Sequence, residues 1–204
     1  MRKKETINEA FNYSYEDSFI MEDVHFRHLY LNSEVDENIV NNIIYHIIRY
    51  NVLDKELPVD QRQPIKLYIN SPGGNMTDGF ALVDAISVSK TPVHTINIGL
   101  AASAACYIYM AGKRRFAMPR SEFLLHEAFV GELGHLSKIE DSVSFMTNEI
   151  GDMIREFVLS HSAISKDCYD SRRRTEWYML PGKAQEYGIV DIIIGKDCSI
   201  DAIL

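Results

Sequence analysis

An apolar run, Ile65-Lys66-Leu67-Tyr68-Ile69, gives way to Asn70-Ser71-Pro72-Gly73-Gly74, and this junction constrains the fold more than any other part of the sequence. Two successive glycines let a backbone leave a strand in conformations that residues with a Cβ disfavour, so a bare N–H can point into a cleft. Such an N–H is half of an oxyanion hole, and Gly74 is its expected source. A second strand, Pro92-Val93-His94-Thr95-Ile96-Asn97-Ile98, is expected to end at Gly99, and the small residues from Ala101 to Ala105 open a run that reads as helical to Met110 and Ala111. Ser103 then falls in the first turn of a helix. Unpaired amides and the positive end of the dipole there favour developing negative charge, and the N–H of Ala104 supplies the second oxyanion donor. A third apolar run, Phe123 to Leu125, ends at His126, a base that would project from the sheet edge toward the same cleft and activate an otherwise weak serine. Singly, such a serine is an N-cap, such a histidine a hydrogen-bonded strand end and Gly-Gly a turn; their order makes them one site.

The rest of the chain frames that site. Ile39, Val40, Ile43, Ile44, Ile47 and Ile48 recur at helical spacing over Asp36 to Tyr50, a core-facing stripe. Asp54 to Gln63 reads as a polar loop, and Thr77 to Ser89 as a helix that carries Phe80, Ala81, Val83, Ala85 and Ile86. Strand and helix alternate at the spacing of right-handed parallel crossovers. From Leu136 to Ser160 one stripe of Ile139, Val143, Met146, Ile150, Ile154, Phe157 and Val158 predicts a helix about 37 Å long, more than a compact monomer needs. With 204 residues and 46% hydrophobic content, one domain is expected. No run approaches about 18 apolar residues, and Met1-Arg2-Lys3-Lys4-Glu5 has no apolar stretch of a cleaved signal, so neither membrane nor secretion is expected. A net charge of −8 argues against a nucleic-acid-coating protein despite Arg172-Arg173-Arg174. Cys106, Cys168 and Cys198 show no Cys-x-x-Cys spacing, the histidines no metal-ligand spacing, and Gly73-Gly74 no P-loop ending, so no metal or nucleotide site is expected in the chain.

The stretch from His28 to Ile194 resembles the proteolytic-subunit family of the Clp protease, ClpP, whose members are self-compartmentalising serine peptidases. Leu67 to Gly74 matches the family's most recognisable string, and Gly99-Leu100-Ala101-Ala102-Ser103 matches its nucleophile motif, Gly-x-Ala-Ala-Ser. Lys113-Arg114-Arg115-Phe116 with Pro119 and Ser121 leads into the histidine strand, and Ala184 to Asp191 resembles the closing helix and strand. The resemblance implies an α/β fold of the ClpP/crotonase type, a repeated β-β-α superhelix with a long handle helix. It implies a divergent N-terminal arm at 1–23 and a peptidase domain at 24–204, with the handle region at about 128–160 and Phe129 to Gly134 as a strand bordering the substrate channel. The implied activity is ATP-dependent serine endopeptidase action on unfolded polypeptide in the cytoplasm, inside heptameric rings stacked as a tetradecamer. Those rings would hold this chain alone or mixed with a paralogue. The chain itself needs no cofactor, ATP being used by a AAA+ unfoldase partner.

Departures from the family accompany the matches. Its third triad member is an aspartate, but counting back from Tyr187-Gly188 without gaps reaches Glu176, whose extra methylene adds roughly 1.5 Å of reach. Glu176 orienting His126, Asp170 or Asp167 replacing it, and an impaired triad all stay open here. Ala104 stands where Met is frequent, and Thr175 where Arg often helps hold the two rings. Lys66 stands where the ATPase-docking groove often has an aromatic residue, while Tyr68 and Phe116 are retained. The first 23 residues do not resemble the family's pore-lining segment. Other readings are a weakly active assembly subunit, a phage-type peptidase that trims capsid proteins, and an acyl-CoA enzyme of the crotonase superfamily, which polarises a thioester without a serine. Ser103 with His126 downstream stands against the last.

Overall fold

Side-chain alternation along one strand sets the layers. In β2 (Ile65–Ser71) the fully buried Ile65, Leu67 and Ile69 face one way, and Lys66 and Tyr68 the other. The computed structural model describes residues 23–127 and 135–204. Its sheet has the order β1-β2-β3-β4-β7, where β1 is His28–Leu31, β3 Val93–Ala102, β4 Arg114–Ala117 and β7 Ile192–Ile193, and all these pairings are parallel. Two further strands, β5 (Glu122–Leu125) and β6 (Trp177–Met179), branch from β3: β5 pairs with it in parallel and β6 pairs with β5 antiparallel.

The helices cover the face that carries Leu67 and Ile69. A π turn, Val40–Ile44, leads into α1 (Tyr45–Leu53), and Ile39, Ile43 and Ile47 are buried as the stripe predicts, whereas Ile48 is exposed. The helix outlasts the expected Tyr50 end by one turn, and a 3₁₀ turn, Val59–Gln61, interrupts the expected polar loop. Next comes α2 (Met76–Val88), whose N-cap Asn75 accepts from the N–H groups of Thr77 and Asp78 at 2.8 and 3.1 Å. Helix α3 (Ala104–Met110) is buried at every position, and a Cβ at Gly79 of α2 would stand 3.1 Å from the Ala104 methyl, which explains small residues on both sides of that contact. The predicted long helix is continuous from 136 to 160 but is not uniform. It consists of α4 (Leu136–Phe145), a π turn (Met146–Ile150) and α5 (Gly151–Ser160). Ile154 and Val158 near its end are buried, while Leu136, Val143 and Phe145 near its start are exposed. The chain closes through α6 (Lys166–Arg172) and α7 (Pro181–Glu186). The mixed α/β architecture with its parallel sheet and long helix is the one that the resemblance implies. The N-terminal arm, apart from Asp23, and the handle strand from Phe129 to Gly134 lie outside the described residues.

Strand β3 does not end at Gly99, as its sequence predicts; it runs on to Ala102 and changes partner on the way. His94 to Asn97 pair with β4, and Leu100 to Ala102 pair with β5. Two amide side chains bridge the change. Asn97, fully buried, donates from Nδ2 to the Glu122 carbonyl at 2.8 Å and accepts from the Gly99 N–H at 3.0 Å. Asn70 accepts from the Leu100 N–H at 3.2 Å where the β2–β3 register shifts. A Cβ at Gly99 would come within 2.4 Å of the Asn70 Oδ1, so the glycine makes room for a side-chain bond and does not terminate the strand.

At the other end of the sheet, Arg27 donates to both carboxylate oxygens of the buried Asp54 at 2.5 and 2.7 Å, and the Thr91 hydroxyl adds a bond of 2.9 Å. Arg27 therefore holds the Asp54 carboxyl below its usual range, against the opposing effect of burial. This pair ties the start of β1 to the end of α1 and the approach to β3. Asp54→Ala leaves the half-buried Arg27 guanidinium without its carboxylate and should lower unfolding stability by about 2 kcal/mol in urea titration at pH 7. Because the folded-state pKa is depressed, the stabilisation is complete above the ordinary carboxylate pKa and fades as pH falls through the lowered one, so parent and variant should converge in strong acid.

Candidate active site

Ser103 ends β3 as the N-cap of α3 with φ 54° and ψ −126°. It therefore lies outside the helix, not in its first turn as the sequence predicts. Those angles belong to the first central position of a type II′ turn, a place glycine normally takes. Arg27 and Ser103 are the non-glycine residues with positive φ among those described. The strain is held in place from both sides: the Ser103 N–H donates to the Leu124 carbonyl at 2.9 Å, and its own carbonyl accepts from Cys106 at 2.9 Å. The hydroxyl makes no capping bond to the helix, so its oxygen stays free. Cys106, three residues on, is fully buried, and burial pushes its thiol up to about 12, so it does not compete as a nucleophile.

Gly73 and Gly74 both have positive φ, at 90° and 150°. A Cβ on Gly73 would lie 2.7 Å from the Ser103 Cβ and 2.6 Å from the Ala102 carbonyl oxygen, so bare backbone passes directly beside the serine. Gly74 packs against Val35 instead. The Gly73 carbonyl accepts from the Val35 N–H at 2.9 Å, and in a trans peptide the following N–H, that of Gly74, points the opposite way. Among the described residues neither that N–H nor the N–H of Ala104 has an acceptor. The sequence reading singled out Gly74 and missed the contact role of Gly73, which the Gly-Gly pair alone does not assign.

His126 follows β5, the strand beside the end of β3; Ala102 is paired with Leu124, so Ser103 and His126 leave adjacent strands at the same end. The histidine Nδ1 is 3.2 Å from Glu176 Oε1. Asp170 takes another partner, accepting from Arg155 of α5 at 2.9 and 3.1 Å, and that guanidinium holds the Asp170 carboxyl below its usual range. Glu176 reaches its place because it immediately precedes β6, which runs antiparallel to β5 with Trp177 opposite Leu125. A cavity of about 160 Å³ adjoins His126, with Val143, Met146 and Ile154 of the long helix and Tyr169 and Arg173 among its walls.

Sequence reasoning also missed Tyr107. Its hydroxyl, one turn into α3 from Ser103, donates to the His126 carbonyl at 3.3 Å. Its ring stacks on Phe80 and meets Phe157 edge-on, so α2, α3, α5 and the histidine segment converge on one phenol. Burial drives the Tyr107 pKa far up, keeping the donor protonated. A tyrosine within the apolar run Cys106 to Met110 gives no signal of this bond.

A serine on a forced turn, a histidine 3.2 Å from a carboxylate and two amides without an acceptor are the kinds of group that acyl transfer uses. No group of three or more His, Cys, Asp or Glu residues that could hold a metal ion occurs among the described residues. None of their helices is long and apolar enough to cross a membrane. A family model described as Clp protease matches residues 16–197, and the chain belongs to the Clp protease family.

Tyr107→Phe keeps the aromatic packing and removes only the bond to His126. One such bond is worth about 0.5–1.5 kcal/mol, so if it positions the histidine, kcat for a short fluorogenic peptide should fall about three- to tenfold with KM unchanged. A change confined to thermal stability would assign Tyr107 to packing alone.

Proposed function

We propose that the chain is a serine endopeptidase subunit in which Ser103 attacks the scissile carbonyl, His126 takes and returns the proton, and Glu176 holds the histidine tautomer. The N–H groups of Gly74 and Ala104 receive the oxyanion. The observation that carries this reading is the forced backbone of Ser103, held at the end of the strand next to the one that leads into the His126–Glu176 pair. As the acyl-enzyme forms, the serine proton passes to His126 Nε2, and the imidazolium is stabilised by the carboxylate at Nδ1. The leaving amine takes that proton, and water then enters by the same route. No step uses ATP, which we assign to a AAA+ unfoldase partner feeding unfolded polypeptide.

We further propose that the subunit works in heptameric rings stacked in pairs. Leu136, Val143 and Phe145 on the outer half of the long helix support this, being large apolar side chains left exposed among the described residues. Sedimentation at micromolar concentration should give a particle of many subunits; a stable monomer would remove this part of the proposal.

The chemistry is tested with a fluorophosphonate probe. Parent protein should be labelled at Ser103, with Ser103→Ala unlabelled and still assembled. Labelling that survives the substitution would mean that another serine is the nucleophile. Glu176→Gln should lower turnover by roughly two to four decades with little change in peptide binding, since loss of the orienting carboxylate costs on that order in aspartate triads. Glu176→Asp should stay within about tenfold of the parent. Full activity in Glu176→Gln together with loss in Asp167→Asn would move the third role to Asp167. A folded, assembled parent that is neither labelled nor hydrolytic would favour the assembly-subunit reading.

A further inference from the structure

The three arginines at the end of α6 do not share one environment. Arg172 and Arg174 are exposed, and the Arg172 guanidinium stands over the Trp177 ring at 5.4 Å. Arg173 is half-buried and belongs to the wall of the cavity beside His126. It caps α6 one turn after Tyr169, whose carbonyl accepts the Arg173 N–H at 2.8 Å, and residues four apart project from one face of a helix. The buried Tyr169 accordingly lines the same cavity.

The acid nearest to Arg173 in α6 is engaged elsewhere. Asp170 spends both carboxylate oxygens on Arg155, at 2.9 and 3.1 Å. Among the described residues no Asp or Glu side chain forms an ion pair with Arg173. The Tyr169 phenol stays protonated and able to donate, because burial, the largest influence on it, raises its pKa, with Arg173 acting the other way. Glu127, exposed, is the one carboxylate in the cavity wall.

Across from these groups the long helix contributes Val143, Met146 and Ile154. The enclosed volume is about 160 Å³, well under the roughly 300–1,000 Å³ of pockets that take whole drug-sized molecules, so it suits one side chain. A side chain entering it meets aliphatic groups on the long helix and a cation with a phenol on α6. The complement is a short methylene stem that ends in a carboxylate. A planar guanidinium receives such a head on two parallel N–H groups. Leucine would cover the aliphatic wall but dry the guanidinium without giving it an anion, and lysine would meet like charge.

We infer that Arg173 is a specificity-determining residue: the cavity receives the side chain of the residue that supplies the scissile carbonyl, favours glutamate there, and directs cleavage to the bond after it. This inference rests on the peptidase reading of Ser103 and His126. His126 is both the proposed base and part of the cavity wall, so the side chain next to the attacked carbonyl is the one in reach. Glu176, at 3.2 Å from His126, comes three residues after Arg173, and the selecting cation and the orienting carboxylate therefore share one short connection from α6 to β6. Glu127 works against the selection from the opposite sign of charge, and a substrate carboxylate must outcompete it for Arg173.

The test compares peptides that differ in one residue, by hydrolysis and by binding. Fluorogenic acetyl-Ala-Ala-Ala-Xaa-aminomethylcoumarin, with Xaa as Glu, Gln or Leu, is given to the assembled parent. Its kcat/KM should be at least tenfold higher for Glu than for the isosteric Gln, the size of one charge-assisted hydrogen bond, and higher than for Leu. Arg173→Gln should bring the Glu-to-Gln ratio within twofold of one, Arg173→Lys should retain part of it, and Glu127→Gln should raise it. Fluorescein-Ala-Ala-Ala-Xaa-amide is then bound to Ser103→Ala and read by anisotropy, where the Glu peptide should bind at least fivefold more tightly than the Gln peptide. A ratio near one in the parent, a preference for Leu over Glu, or a Glu preference that survives in folded Arg173→Gln would overturn the inference. The parent's ratio needs no variant, so misfolding of Arg173→Gln does not shelter it. Hydrolysis without the Glu preference would remove the selecting role and leave the peptidase reading standing. Binding to Ser103→Ala in the expected order, with a parent that hydrolyses nothing, would keep the cavity's selectivity and remove the peptidase reading, and neither binding nor hydrolysis by the folded, assembled protein would overturn both.

Discussion

The buried amide of Asn97 is the constraint from which the arrangement at the sheet end follows. A ten-residue strand cannot pair with β4 throughout, because β4 ends at Ala117, and it cannot turn to β5 without leaving backbone groups unpaired at the handover. Asn97 spans the gap with both ends of its side chain, bonding the Glu122 carbonyl and the Gly99 N–H, while its main-chain carbonyl receives the Met118 N–H. The Asn97 amide is thus bonded through both its nitrogen and its oxygen, the condition under which a buried amide specifies a structure instead of weakening it. With β5 recruited, His126 follows the strand next to the one that ends before Ser103; with β6 laid against β5, Glu176 arrives beside His126.

Much of this was legible from local chemistry. The strand at β2, the helix at α2 and the long helix announce themselves through periodicity and through the residues that end them, and the order of Gly-Gly, serine and histidine singles out the segments that meet. What could not be read has a common cause, namely bonds made between segments distant in sequence. Gly99 looks like a terminator because the Asn70 side chain, which leaves no room for a Cβ there and bonds the next N–H, lies 29 positions earlier. The conformation of Ser103 is imposed by Leu124 and by close passage of Gly73, not by its alanine neighbours. Strand β6 is only three residues long and has no alternation to display.

The long helix combines two environments. Its second half is seated, with Ile154 and Val158 buried and Phe157 in contact with Tyr107 and Phe80, so it reports directly to the helix that follows Ser103. Its first half leaves Leu136 and Phe145 exposed among the described residues, while Val143 helps wall the cavity at His126. The π turn lies between the two, and Met146 and Thr147 within it help wall the cavity at His126. Such insertions disturb the 3.6-residue phase, so the face presented by the outer half is set independently of the face buried by the inner half.

The backbone of Ser103 carries a consequence for how sequences of this kind drift. A glycine at that position would take the same angles without strain and without the penalty of about 1–3 kcal/mol that a residue with a Cβ incurs there. Selection for robustness alone would therefore favour glycine there, and, if Ser103 is the nucleophile as proposed, a library screened only for heat resistance would gather chains that are sturdier and inert. Under the proposed role of Ser103, stability and chemistry pull in opposite directions at this one position.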